Sequence, residues 1–276
     1  MYSSASNHNI GRLTITTAVN ATDELIEEAT NLSITLNAVY CPRSGHSLNS
    51  LVQETQFDKV LVVQRDQYTL YGADGMEYQF HPNMAIVRAT NYTKTGRDYY
   101  LEAAELKPGD TVIDCTLGFG CEAVLAAMVV GVDGQVIGLE SVPELAIVTR
   151  RGMGRYNMLQ KHLREAMRRV VVLNADYREY LRKSRTRSAD IVYFDPFFKE
   201  TLEGAGHTVG CLAAFGNRAS LDIRSVIEAR RVARRAVIIK HPKWHPLPQE
   251  IRPDVKEEVA GRRSTITFAV IPPYGL

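Results

Sequence analysis

Asp114-Cys-Thr-Leu-Gly118-Phe-Gly120 joins an acid and two glycines where a short apolar run, Thr111–Asp114, gives way to a helix-forming stretch. Glycines at such a turn let the backbone bend tightly and approach a ligand beneath a helix N-terminus. Three further acids end later apolar runs: Glu140, then Asp176, then Asp195. In a parallel α/β sheet, acids at successive strand ends face the crevice where such folds bind ligands. An acid after the second strand can accept both hydroxyls of a ribose. Taken together the four positions predict a nucleoside site. Taken singly, each acid also reads as a helix cap, Asp176 before Tyr177 most readily.

Glycine spacing does not choose the nucleoside, because Ala123 fills the third small position of a dinucleotide turn. Asp114 does bear on the choice. It would repel a pyrophosphate and suits the cationic amino-acid end of S-adenosyl-L-methionine. The second feature is Asp195-Pro196-Phe197-Phe198, following the apolar IVYF. This tetrapeptide resembles the D/N-P-P-Y/F signature of amino-group methyltransferases and marks all four residues as catalytic candidates. An exocyclic base amine attacks poorly because its lone pair is delocalised into the ring. Acceptors from an acid and the next backbone carbonyl favour a pyramidal nitrogen, proline aims that carbonyl, and an aromatic stacks on the base. Methyl transfer is then an in-line displacement governed by positioning and desolvation, and no metal is expected.

The elements needed to hold these residues are legible from about Asp98 onward. Strand-like runs at Thr111–Asp114, Gln135–Leu139, Val170–Leu173, Ile191–Phe194 and Ala236–Ile239 alternate with helical stretches at Glu122–Val130, Pro143–Leu159, Tyr177–Arg182 and Ser220–Arg234. Such alternation predicts βαβ units and a Rossmann-like parallel sheet covered on both faces. Ser264–Ile271 has no helix before it long enough for a parallel crossover, so it is expected as a final antiparallel strand. The front of the chain reads as a small α/β domain, residues 1–83, ahead of a cofactor-binding domain, residues 84–276. Leu13–Val19 is its first strand, a helix capped by Asn20 or Thr22 runs to about Asn37, and three β-rich runs from Lys59 to Phe80 form an antiparallel meander around Ala73-Asp74-Gly75. The glycine-rich stretch Lys199–Gly216 is expected as a loop that could act as a lid.

Composition narrows the class. The chain has 276 residues, 45% of them hydrophobic and 23% charged, as in an ordinary globular protein. No apolar run approaches the roughly 18 residues of a membrane span, and the first thirty residues lack the pattern of a signal peptide. Cys41, Cys115, Cys121 and Cys211 show neither metal-type pairing nor disulfide density, so a cytoplasmic protein with free thiols is expected. From Arg150 to Arg187, twelve Lys/Arg face Glu165, Asp176 and Glu179, a local net of +9; residues 1–100 carry seven against ten, a net of −3. That asymmetry fits an anionic partner as well as a solvated helix face.

The order of motifs from Met84 to Ile271 resembles the bacterial small-subunit ribosomal RNA guanine-N2 methyltransferases of the RsmJ type. Carrying the resemblance are Arg88, Gly96-Arg97-Asp98, the turn Asp114–Gly120, Glu140-Ser141, Val192–Phe198, Lys240-His241-Pro242 and Gly261-Arg262. It implies that Cys121, Glu122, Glu140, Ser141 and Asp195 contact the cofactor, to which spacing adds Asp114, Gly118, Gly120 and Asp176. It also implies an RNA acceptor on the small ribosomal subunit, with Lys240, His241 and Arg97 as acceptor-side candidates. Two departures stand out. Cys121-Glu122 replaces the family's Arg-Asp, and Ser141 replaces an arginine. A methyltransferase for small molecules or proteins, and a nucleoside-binding module without catalysis, remain as alternatives.

Overall fold

The computed structural model describes residues 13–48, 50–51, 58–157, 160–197, 207–245 and 247–275. The chain divides into two compact units, Met1–Gln79 and Phe80–Leu276. Among the described residues no helix is long and apolar enough to cross a membrane.

Among the described residues the first unit holds a five-stranded sheet with helix α1 (Asp23–Thr35) beside it. Strands β1 (Leu13–Thr17), β2 (Val39–Tyr40), β3 (Lys59–Val63), β4 (Tyr68–Gly72) and β5 (Glu77–Gln79) lie in the order β2-β1-β3-β4-β5. The meander β3-β4-β5 is antiparallel as expected, and β1 pairs with β3 in parallel. Helix α1 (Asp23–Thr35) starts after an extended Thr22, with Asp23 and Glu24 in the first turn where the helix dipole favours acids. Strand β2 has only two residues, too few for a pattern in the sequence.

The second unit carries a seven-stranded sheet. Helices α2 (Asn83–Thr95) and α3 (Tyr99–Ala104) precede β6 (Thr111–Asp114), α4 (Cys121–Val130), β7 (Gln135–Glu140), α5 (Pro143–Arg155), α6 (Lys161–Arg169) and β8 (Val170–Asn174). Then come α7 (Tyr177–Lys183), β9 (Ala189–Phe194), α8 (His207–Phe215), α9 (Ile223–Val232), β10 (Ala233–Pro242), β11 (Glu257–Val259) and β12 (Ile266–Ile271). The spatial order is β11-β12-β10-β9-β6-β7-β8. Strands β6 to β10 are mutually parallel, while β12 runs antiparallel to both β10 and β11. This is the Rossmann-like α/β sheet with a final antiparallel strand.

Both faces of the central strands are covered, which is why their sequences are apolar without alternation. On one face Val192, Phe194, Val237 and Ile239 pack with Val226 and Ala229 of α9. On the other, Tyr193 meets Tyr100 of α3 edge-on, with ring centroids 4.9 Å apart.

Several boundaries move. The expected helix Pro143–Leu159 stops at Arg155, because Tyr156 turns extended at φ −55° and ψ 120°; Leu159 lies outside the described residues. Helix α6 follows, burying Leu163, Ala166 and Met167 at helical spacing within a segment otherwise noted only for its charge. Helix α9 begins at Ile223, where the Asp222 side chain accepts from Ser225 N at 2.9 Å, and Arg234 belongs to β10. The expected loop Lys199–Gly216 contains α8; residues 198–206, including Gly204 and Gly206, lie outside the described residues.

Candidate active site

A cavity of about 630 Å³ opens at the C-terminal ends of the parallel strands, within the size range of small-molecule sites. The glycine turn forms its floor. Asp114 ends β6 and is buried beneath the turn, its Oδ1 accepting from Thr116 N at 3.1 Å. Burial pushes its carboxyl well above the usual carboxylate range. The Thr116 hydroxyl in turn accepts from Asp195 N at 2.6 Å, tying the turn after β6 to the motif after β9. Gly118 and Gly120 take φ of +50° and +68°, left-handed values that glycine adopts freely. Gly120 also lacks room for a side chain: a Cβ there would sit 2.1 Å from Met153 Cε and 3.2 Å from Leu117 Cδ1. As N-cap of α4 it supplies no capping side chain, so the first turn keeps N–H groups for a ligand.

Glu140 is the last residue of β7, and Ser141 follows it into the cavity wall. Its Oε1 accepts from Val142 N at 2.9 Å. Burial pushes the Glu140 carboxyl up to about 7, against backbone hydrogen bonds from Val142, Gly118 and Ser141 that favour its charge. Asn174, at the end of β8, donates to the Glu140 carbonyl at 2.9 Å and fixes this corner.

On the opposite wall begins a cluster of five charged side chains. Lys240 Nζ lies 2.7 Å from Asp195 Oδ2 and 3.3 Å from Glu122 Oε1. Arg88 reaches the same Glu122 oxygen at 2.6 Å and forks onto Asp98 through Nε and Nη2, each at 2.9 Å. Burial opposes ionisation of Glu122, but Lys240 and Arg88 outweigh it and hold the carboxyl at about 2. Burial likewise works against the Lys240 charge, and Asp195 and Glu122 overcome it, raising the ammonium above its ordinary value. Asp195 is raised by burial, with Glu122 adding to the rise and Lys240 opposing it. Burial takes the neighbouring Cys121 thiol up to about 12, so it is no thiolate near neutrality.

Gly118, Gly120, Cys121, Glu122, Glu140, Ser141, Asp195, Pro196, Phe197, Lys240 and His241 thus line one cavity. Three described candidates do not join them. Asp114 lies under the floor. Asp176 is the N-cap of α7, its side chain accepting from Arg178 N at 2.7 Å, and the next two residues line the cavity in its place. Arg97 is exposed and pairs with Glu102 at 3.2 Å. Phe198 lies outside the described residues. Lys240, His241 and Pro242 belong to the end of β10 and do not follow it.

Arg88 is the charge that spacing alone did not assign, since α2 carries no motif to mark its inward face. His81 and Phe119, with ring centroids 4.5 Å apart, also line the cavity unannounced.

Of the basic residues between 150 and 187, Arg178 lines the cavity. None of Arg150, Arg151, Arg155, Arg164, Arg168 or Arg182 lines the cavity. Crossover helices run antiparallel to their strands, so the C-terminal turns of α5 and α7 point toward the edge of the sheet away from it. Arg150 donates to the Val172 carbonyl at 2.7 Å, and Arg169 to that of Ala127 at 2.8 Å.

Residues 46–266 match the family described as "Putative SAM-dependent methyltransferase". The chain belongs to this family. It is a methyltransferase whose cofactor is S-adenosylmethionine. Among its relatives, the uncharacterized protein YpiP of Bacillus subtilis is 35% identical over 226 residues, 82% of this chain and 87% of that protein. Ribosomal RNA small subunit methyltransferase J of Psychrobacter arcticus is 25% identical over 177 residues, 55% of this methyltransferase and 58% of that one. The crystal structure of the SAM-dependent methyltransferase NGO1261 from Neisseria gonorrhoeae superposes with a TM-score of 0.62 at 18% identity, covering 95% of this chain and 97% of that one. The last likeness supports the fold.

Proposed function

We propose that this methyltransferase modifies an exocyclic amine of an RNA base, with guanine N2 of small-subunit ribosomal RNA as the acceptor. The observation that carries the reading is the placement of Asp195-Pro196-Phe197 on the wall of the cavity that also holds the glycine turn and Glu140. The resemblance to the RsmJ type and the Psychrobacter relative support the choice of acceptor. Work on ribosomal RNA would belong to the cytoplasm.

The cavity fits the cofactor on features of its own. Gly120 leaves a cradle that a Cβ would fill, the α4 N-terminus is uncapped, and Glu140 is a buried acid at the second strand end. In this reading Glu140 accepts the ribose hydroxyls, with Ser141 beside it. Gly118, Gly120 and Cys121 let the backbone close on the amino-acid end, while Asp114 holds the turn from below. When bound, S-adenosylmethionine supplies a methyl on a cationic sulfonium that an aligned lone pair can displace.

The chain's own residues then position the acceptor. Lys240 occupies Asp195 Oδ2, and a carboxylate retains a second oxygen that can accept an amine hydrogen. Pro196, without an N–H, leaves the Asp195 carbonyl aimed by its fixed φ, and Phe197 offers a ring for stacking. The raised carboxyl of Asp195 suits it to take the proton that the methylated amine must lose.

Transfer of tritiated methyl groups to small ribosomal subunits, followed by nucleoside digestion, tests this. The expected product is N2-methylguanosine, and Asp195→Asn should reduce turnover by about 100-fold or more while S-adenosylhomocysteine binding stays within a few-fold. Label in another nucleoside, or near-normal turnover by the variant, would overturn the assignment.

A further inference from the structure

Trp244 is the one tryptophan in the chain, and it stands 59% exposed while also lining the cavity. It comes just after the end of β10, beyond the Lys240 that holds Asp195, so it stands at the acceptor side of the mouth. Its surroundings are basic. Lys243, next to it and exposed, donates from its backbone N to the Thr265 carbonyl at 2.9 Å and from Nζ to the Gly261 carbonyl at 2.8 Å. These bonds pin it to a tight turn closed by Ser264 N on the Gly261 carbonyl at 3.0 Å. Arg262 and Arg263 occupy the tip of that turn. Both are exposed, and among the described residues neither forms an ion pair. The position is fixed from behind: a Cβ on Gly261 would sit 2.6 Å from the Tyr99 ring, so Gly261 lets the turn pack closely on α3. Glu258 of β11 lies 3.4 Å from His241 Nε2.

We propose that Trp244 is a stacking platform for an unpaired base of single-stranded RNA, flanked by Lys243, Arg262 and Arg263 as phosphate-binding groups. An exposed indole beside a cavity combines an aromatic face with the cationic groups that track a nucleic-acid backbone. The neighbour of the target nucleotide would stack on Trp244 while the target base enters toward Asp195. The RNA-docking surface is therefore the turn at 261–264 with its β10 neighbour, and not the basic segment 150–187. This rests on the RNA reading above and names where the RNA is held.

Because the chain has a single tryptophan, its fluorescence reports on this position directly. Titration with a single-stranded oligoribonucleotide of about 12 nucleotides, within the span such sites cover, should quench the emission. Trp244→Ala should weaken RNA binding by about 5- to 150-fold, measured by filter retention, and Trp244→Phe should restore most of it. Reversing both arginines, Arg262→Glu with Arg263→Glu, should also weaken binding, most of all at low salt. It should lower the log–log salt slope by about 0.7 for each phosphate that is no longer neutralised. These exposed residues lie outside the cavity lining, so S-adenosylhomocysteine affinity in that variant shows that the fold is intact. Unquenched emission with RNA bound, or full affinity in both Trp244→Ala and the arginine variant, overturns the proposal while leaving RNA methylation standing. If the unaltered protein neither binds nor methylates RNA, the RNA reading falls and takes this one with it. Equal binding of single-stranded and duplex RNA would also overturn stacking on an unpaired base.

Discussion

Replacing Glu140 with glutamine should stabilise the empty protein at alkaline pH while weakening its cofactor binding. The carboxyl is buried and its pKa stands at about 7 against an ordinary 4.5. At about 1.4 kcal/mol per pH unit, that gap corresponds to about 3 kcal/mol of folding free energy. The sign follows from proton counts. Between 4.5 and 7 the folded state keeps a proton that the unfolded chain has released, so stability falls as pH rises through that window. Below 4.5 the cost vanishes, and above 7 it is complete. Between about pH 5 and pH 8 the residue should remove about 2.5 kcal/mol. Urea unfolding of the wild type and of Glu140→Gln at both pH values isolates this as a double difference. The same proton governs ligand binding. Ribose hydroxyls donate to the ionised form, so S-adenosylhomocysteine should bind the wild type roughly tenfold more tightly at about pH 8 than at pH 6. Glu140→Gln should bind more weakly under the alkaline condition and show little pH dependence in calorimetry. Parallel pH profiles for the two proteins, in stability and in binding, would refute the reasoning.

Gly120→Ala combines a left-handed backbone with a Cβ 2.1 Å from Met153 Cε, so urea unfolding should show a loss of about 2–4 kcal/mol and calorimetry a weaker cofactor site. Lys240→Met leaves Asp195 buried without its cation and Glu122 with Arg88 alone, which should cost about 3–5 kcal/mol by the same unfolding assay. Adding Glu122→Gln should recover part of that loss, since it lowers the excess of negative charge left around Arg88; no recovery would argue against the shared cluster.

The sequence announced the cavity through residues that sit on strand ends. Gly118, Gly120, Glu140 and Asp195 could be placed because a βαβ pattern forces the end of each parallel strand to one edge, and the apolar runs showed where those ends fall. What escaped came from elements whose faces are set only by packing. Arg88 sits on α2, where no capping signal or strong periodicity shows which side turns inward. Helix α6 was hidden by its own charges, since its buried Leu163, Ala166 and Met167 are outnumbered by basic residues that face out. Asp176 satisfied the spacing of a nucleoside acid and the chemistry of an N-cap equally well, and spacing alone does not say where a side chain points once the helix begins. The charge of segment 150–187 was uninformative for a related reason: net charge along a chain carries no information about which edge of the sheet a helix end reaches.

Strand β12 lies between β10 and β11, which do not pair with each other. During synthesis, residues 233–242 and 257–259 emerge before the segment that joins them, so the β10 edge stays open until residues 266–271 leave the ribosome. An unpaired edge of Val237, Ile238 and Ile239 is apolar on both faces and prone to pair with another chain. Completion of the sheet therefore waits for β12. A chain cut short by a premature stop just after β11 would carry the glycine turn, Glu140, Asp195 and Lys240 in full, and still be a substrate for chaperones.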